Sequence, residues 1–255
     1  MPEHIITETC DRVQRIELRR PDKRNAITVA MYEAMAAALV RAGDDPDVRV
    51  ILIHGQPEVF TSGNDLIDFL NLPPGGTDSP VVRFLTLISQ SNKPVVAAVT
   101  GAAVGIGTTM LLHCDYVVAG ESARLSVPFV NLGLCPEGGS SLLLPLGVGY
   151  LRAAELLLFG EAIDAAQARE WGLVNRVVED KLAIPEAQAR ALALAAKPPT
   201  ALKTAKSLLK RRLAPLILNT IHEEVASFSQ LLGSPEAKEA LSAFVAKRPP
   251  DFSRF

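Results

Sequence analysis

Apolar residues recur with two periods along this chain, and the switches between them mark its elements. Ile5 to Leu18 carries a first hydrophobic strand region that the Asp11-Arg12 pair divides as a hairpin turn. From a Thr28 N-cap, the residues Tyr32, Met35, Ala36, Leu39 and Val40 fall at helical spacing until Gly43-Asp44-Asp45-Pro46 ends the run. Val48-Arg49-Val50-Ile51-Leu52-Ile53 is a β-branched run bounded by Pro46 and Gly55, the mark of a buried parallel strand. A loop and a second helix follow. The order then repeats. Pro94 to Val99 is a second buried strand, and after Gly101-Ala102-Ala103-Val104 a helix runs to His113. Strands at Tyr116 to Ala119 and Ala123 to Val127 lead to a third helix near Gly138. Ala-rich helices over residues 149 to 170 precede a strand candidate at Leu173 to Val178. Strand-loop-helix units at this spacing indicate an α/β fold.

From Lys181 the signal is helical, punctuated by Pro198-Pro199 and Gly233-Ser234-Pro235. Leu208, Leu209, Ile217, Leu218, Ile221, Val225 and Phe228 give these helices several apolar faces, which the core or a second subunit must cover. The chain therefore divides into a core, residues 1–197, and a helical C-terminal region, residues 198–255.

Composition narrows the function classes. A length of 255 residues, 48% hydrophobic, suffices for a large core. A formal net charge of -2 with scattered Lys and Arg gives no footprint for nucleic acid or an anionic membrane. Pro94 to Cys114 lacks Asp, Glu, Lys and Arg, yet Pro94 and three glycines make it a buried strand and helix rather than a membrane span. Cys10, Cys114 and Cys135 are odd in number and widely spaced, against a disulfide framework or a structural zinc site. The first residues do not read as a secretory signal, and Ser253-Arg254-Phe255 only loosely resembles a peroxisomal tripeptide. A cytoplasmic protein is expected.

Two segments share a design. Phe60 to Leu66 and Ala103 to Gly107 each follow a buried strand and open a helix, with Gly63 and Gly105 allowing unusual backbone and Asp65 placed to accept turn N–H groups. Each alone also fits an ordinary loop-to-helix turn. Together, two helix entrances on adjacent parallel strands can aim two free N–H groups at one anion. At a developing oxyanion such a donor is worth about 2.7–4 kcal/mol. A dinucleotide site is excluded because Met110 stands where a third glycine belongs. Glu137, in Pro136-Glu137-Gly138-Gly139, lies among apolar and small residues at a helix entrance. Burial would raise its pKa and helix-terminal donors would lower it, and for an isolated Glu before a helix a capping or exposed loop carboxylate is the better reading. His54, His113 and Cys135 read as structural, and no cluster has metal-ligand spacing.

From end to end the chain resembles the enoyl-CoA hydratase/isomerase, or crotonase, superfamily. The matching pieces, in order, are Lys23 to Ile27, Phe60 to Leu66, Ala97 to Gly107 with Cys114-Asp115, Gly138-Gly139, and Leu144 to Gly147. Ala153 to Gly160, Gly172-Leu173-Val174, Val177-Val178, and Phe244 with Lys247-Arg248-Pro249 complete them. The resemblance implies a spiral of ββα units with a helical C-terminal region that builds trimers, often paired as hexamers. It implies that the N–H groups of Asn64 and Ile106 form an oxyanion hole for an acyl-CoA thioester. Asn25, Ala26, Ser62, Gly63, Asp65 and Leu66 would line the CoA site, largely through backbone, while Phe244 and Lys247 match positions that reach a neighbouring subunit's CoA. No resident cofactor is implied, since CoA arrives with the substrate.

Hydratases of the family use two glutamates, and here those positions hold Thr109 and Phe129. Pro136 to Ser141 instead resembles the peroxisomal-type 3-enoyl-CoA to 2-enoyl-CoA isomerases, in which a glutamate at the position of Glu137 is the single base. The match extends through Ser62 to Leu66, Pro73-Pro74-Gly75-Gly76, Ala103 to Ile106 and Pro128-Phe129. The expectation is an isomerase working through a dienolate, with residues 67 to 90 shaping the acyl pocket. The alternatives are a hydratase or another lyase or hydrolase acting on a CoA ester, and a silent acyl-CoA-binding protein.

Overall fold

The computed structural model describes residues 4–71 and 79–255, so the Pro73 to Gly76 turn lies outside the described residues. Strands β1 (Ile5–Cys10) and β2 (Val13–Leu18) form the expected hairpin, with left-handed Asp11 and Arg12 at its turn. Helix α1 (Val29–Asp44) starts where Thr28 accepts a hydrogen bond from the Met31 N–H, and its buried face carries Tyr32, Met35 and Leu39. β3 (Val50–His54) is buried along its whole length. Helices α2 (Leu66–Asn71) and α3 (Pro80–Ser89) follow, α3 capped by Ser79.

The next turns of the chain each place one strand in each of two sheets. β4 (Val95–Val99) joins the large sheet and β5 (Ala102–Val104) a small one before α4 (Ile106–Thr109). β6 (Tyr116–Gly120) and β7 (Arg124–Ser126) repeat this before α5 (Ser140–Val148) and α6 (Tyr150–Ala154). Last come β8 (Ile163–Asp164), α7 (Ala165–Glu170) and β9 (Arg176–Val178). The large sheet has the order β1-β2-β3-β4-β6-β9, parallel from β2 onward, and the small sheet the order β5-β7-β8. This is the spiral of ββα units.

Two details differ from the sequence reading. Ala102 to Val104, to which the sequence reading assigned no element, is a strand, because its backbone pairs with residues 124 to 126. The strand expected at Leu173 to Val178 shortens to its last three residues, since the N–H groups of Leu173 and Val174 turn back to Ala168 O.

The apolar residues of β3 and β4 point to opposite faces of the sheet. Ile51, Ile53, Val95 and Ala97 join the main core with α1 and α3, while Val50, Leu52 and Val96 pack against the alanines of α8 (Asp180–Ala195). Each fully buried Val, Ile or Leu contributes about 1.5–3 kcal/mol, and both faces are covered, which explains continuous apolar runs in place of alternation. α9 (Pro199–Lys210), α10 (Ala214–Leu232) and α11 (Pro235–Val245) complete the chain. α10 packs on α3 and α5. α11 rests on the 130–132 turn, where a Cβ on Gly133 would come within 2.7 Å of the Ala237 nitrogen. Among the described residues no helix is long and apolar enough to cross a membrane.

Candidate active site

The first half of the site is built from backbone. Beyond β3, the Phe60 N–H donates to Thr100 O (2.7 Å), the Thr61 N–H to Ala102 O (2.9 Å) and the Val104 N–H to Thr61 O (3.1 Å). The two loops thus run in parallel register, Thr61 beside Ala103. Each then passes a glycine with positive φ, Gly63 at 91° and Gly105 at 57°, and turns into a helix. A Cβ on Gly63 would sit 2.9 Å from Val104 O, so the close approach of the loops itself requires glycine. Asn64 and Ile106 come directly after these glycines. Ile106 opens α4, so its N–H has no intrahelical acceptor, and among the described residues neither N–H donates to a backbone carbonyl outside a helix or strand.

Buried polar groups hold this half in place. Asn25, fully buried and left-handed, accepts from the Arg20 N–H and donates to Val59 O and Phe60 O. Its side chain therefore ties loops together and does not face the cavity. Thr61 Oγ1 donates to Asn25 O and accepts from the Gly63 N–H. Asp65 accepts from the Ile67 and Asp68 N–H groups and pairs with Arg20 at 2.7 Å. Desolvation pushes the Asp65 carboxyl up, but Arg20 and these donors outweigh it and hold it below its ordinary range.

A cavity of about 550 Å³ opens beside these loops. Ala26, Ser62, Gly63, Asn64, Asp65, Leu66 and Ile106 line it, with Phe129 and Phe244. Two exposed cations, Lys23 and Arg24, also stand on its wall. Phe244 lines the cavity of its own chain, brought there by the seating of α11 on the 130–132 turn. Lys247 is exposed just past α11 and does not line this cavity.

The second half is a side chain. Glu137 precedes two successive left-handed glycines, Gly138 (φ 69°) and Gly139 (φ 75°), and α5 begins at Ser140. Only 6% of its surface is exposed. Thr109 Oγ1 donates to its Oε1 at 2.5 Å. Desolvation pushes the Glu137 carboxyl up to about 8; Thr109 holds the rise back and the nearby Glu224 adds to it. The His113 ring donates to Gly138 O at 2.7 Å, and burial pushes that imidazole down to about 4, leaving it a neutral tie in the turn. Cys135 is likewise inert, its thiol pushed up to about 11 by burial.

The two halves meet in a narrow cavity of about 20 Å³ lined by Asn64 and Glu137 with Val82, Leu85, Val225 and Phe228. The Tyr32 hydroxyl donates to Asn64 Oδ1 at 2.5 Å and fixes that side chain. A buried carboxylate poised near neutrality therefore faces the loop that presents a free N–H, an arrangement for moving protons beside a developing oxyanion. Among the described residues no group of three His, Cys, Asp or Glu side chains is placed to hold a metal ion.

Sequence reasoning did not find Tyr32, Lys23, Arg24 or the Thr109 contact. Thr109 stood out as a missing carboxylate, but nothing in a separation of 28 residues says that its hydroxyl meets Glu137.

The sequence model of the family described as enoyl-CoA hydratase/isomerase matches residues 8–254. A 2,3-dehydroadipyl-CoA hydratase of Escherichia coli is 33% identical over 97% of this chain and 98% of its own. The human enoyl-CoA delta isomerase 2 is 35% identical over 82% of this chain and 55% of its own. The solved structure of Pseudomonas aeruginosa OdaA superposes with a TM-score of 0.93 at 49% identity, covering 95% of this chain and 98% of that one.

Proposed function

Because the chain belongs to the enoyl-CoA hydratase/isomerase family and so acts on acyl-CoA, we propose that it moves a double bond from 3-enoyl-CoA to 2-enoyl-CoA. The observation that carries this reading is the buried Glu137, with threonine at 109 and phenylalanine at 129. The thioester carbonyl accepts hydrogen bonds from the Asn64 and Ile106 N–H groups. Glu137 removes a proton from the carbon alpha to the thioester, the two donors hold the dienolate oxygen, and the same carboxylic acid returns the proton to the gamma carbon. A carboxyl pushed up to about 8 is half ionised at that pH, where taking and returning a proton are evenly matched. Adding water would need a second acid or base at Thr109 or Phe129, and neither side chain can act as one.

In this reading Ala26, Ser62, Gly63, Asp65 and Leu66 receive the CoA chain, and Lys23 and Arg24 meet its phosphates. Asn25 supports that loop from within. CoA comes and goes with the substrate, and no resident cofactor takes part. Exposed apolar residues on the C-terminal helices, Leu208, Leu209, Leu216 and Val245, supply the surface for a homotrimer or a pair of trimers, in which Lys247 reaches a neighbour's CoA.

The test is incubation of a 3-enoyl-CoA with the protein in deuterated water. The expected product is a 2-enoyl-CoA, with turnover reduced about 10²–10⁴-fold in Glu137→Gln and binding retained. Solvent oxygen in a 3-hydroxyacyl-CoA would make the protein a hydratase. Binding that Glu137→Gln leaves unchanged, without turnover of any 3-enoyl-CoA, would make it a silent carrier.

A further inference from the structure

We propose that Glu224, on α10, is a positioning residue for Glu137: its buried carboxylate clamps the double-glycine turn that carries the base and places a negative charge beside it. The inference rests on Glu137 being the base.

Three donors converge on this one carboxylate. The Gly139 N–H reaches Glu224 Oε2 at 2.6 Å, while the Ser141 N–H and hydroxyl reach Oε1 at 2.9 Å and 2.6 Å. The first follows Glu137 by two residues. The left-handed Gly139 and the start of α5 at Ser140 turn the Gly139 and Ser141 N–H groups to one side, a concavity suited to an anion. Glu224 fills that concavity from a helix more than 80 residues away in sequence, and is itself only 6% exposed. His113 grips Gly138 O from the other side. The turn is thus fixed on both flanks, and the direction in which Glu137 leaves it is set by groups that never meet the substrate.

Glu224 also acts through its charge. The groups that face Glu137 are Tyr32 from α1, Thr109 from α4, Cys135 on its own segment and Glu224 from α10. Burial keeps the tyrosine hydroxyl and the cysteine thiol neutral, and His113 lies beyond a backbone carbonyl. Among these described groups only Glu224 brings a formal charge to bear on Glu137. Burial lifts the Glu224 carboxyl too, but its three donors hold that rise back.

The experiment is the pH profile of kcat/KM on a 3-enoyl-CoA for the full chain and for Glu224→Gln, Glu224→Asp and Glu137→Gln. In parallel, the Glu137 carboxyl is titrated by ¹³C NMR of glutamate-labelled protein, its signal identified by its loss in Glu137→Gln. Glu224→Gln keeps the shape and removes the charge, so plateau kcat falls about tenfold to a hundredfold and the acid limb moves to lower pH. Glu224→Asp keeps the charge and shortens the reach, so kcat falls while the acid limb stays close to that of the unaltered chain. A merely structural capping residue would lower the melting temperature and leave the acid limb where it was. A Glu224→Gln profile with unchanged limb and kcat within twofold overturns the proposal, whatever its stability. If the unaltered chain turns over no 3-enoyl-CoA, the isomerase reading fails separately. The NMR titration still decides this proposal: a Glu137 carboxyl that titrates identically in Glu224→Gln overturns it, and a downward shift supports it.

Discussion

The two N–H donors and the carboxylate of this site are held in different ways. In the proposed mechanism Asn64 and Ile106 act through backbone, and their placing follows from sheet register: Thr61 pairs with Ala103, and two residues later each loop passes a glycine and turns toward a helix. Many side chains would serve at 64 and 106. In the same mechanism Glu137 acts through a side chain on a turn with no strand partner, so a handful of groups, Thr109, His113 and Glu224, must fix it one by one. Backbone machinery is fixed by the fold, and side-chain machinery by particular contacts. On the proposed reading the first half suits any reaction with a thioester enolate, while the second selects which one.

The largest effect should come from breaking the register half. Gly63→Val puts a β-branched residue at φ 91° with its Cβ within 2.9 Å of Val104 O, so the two loops must part. Strain of about 1–3 kcal/mol is expected in thermal or urea unfolding. Isomerase kcat should fall about 10²–10³-fold from the misplaced donor. A variant with turnover within threefold of the unaltered chain would show that the Asn64 N–H does not act on the substrate.

The same division explains what could be read from the sequence. The runs at 48–53 and 94–99, the glycines at 63 and 105 and the Thr28 cap announce themselves locally, because each states a backbone requirement within a few residues. The helix-entrance pair was therefore visible, together with Glu137 as a carboxylate in an apolar stretch. The surroundings of Glu137 were not. Its partners lie 28 and 87 positions away, on α4 and α10, and only the winding of the spiral and the return of the C-terminal helices bring them together. Asn25 was expected to line the CoA site largely through backbone; what the sequence did not announce is that two consecutive left-handed residues at 24 and 25 turn its amide inward to bind backbone.

A smaller effect is expected in the side-chain half from Thr109→Val, which keeps the shape and removes one hydrogen bond to Glu137. That bond favours the ionised carboxylate, so its loss should push the Glu137 carboxyl further up, carrying the acid limb of kcat/KM to higher pH. This is the direction opposite to that expected for Glu224→Gln. At neutral pH, turnover should fall about tenfold, the consequence of losing one charge-assisted hydrogen bond worth about 1.5–3 kcal/mol, partly regained as pH rises. An acid limb that does not move would mean that Thr109 only fills space.

The smallest effect concerns stability, and its sign follows from the same carboxyl. Glu137 has an ordinary value near 4.5 when the chain is unfolded and about 8 when folded, so between those values the folded protein holds the extra proton. Its contribution to stability is fully present below pH 4.5, declines as pH rises through that window, and is lost above 8. Glu137→Gln cannot ionise. The variant should therefore match the unaltered chain near pH 4.5 and gain on it as pH rises, by a few kcal/mol at most, levelling off above pH 8. Urea midpoints at pH 5, 7 and 9 measure that gain. The N–H half contributes nothing to this pH dependence, since peptide groups do not titrate. A constant difference between the two proteins at all three pH values would mean that the side-chain half does not hold its base in the poised, desolvated state that proton transfer requires.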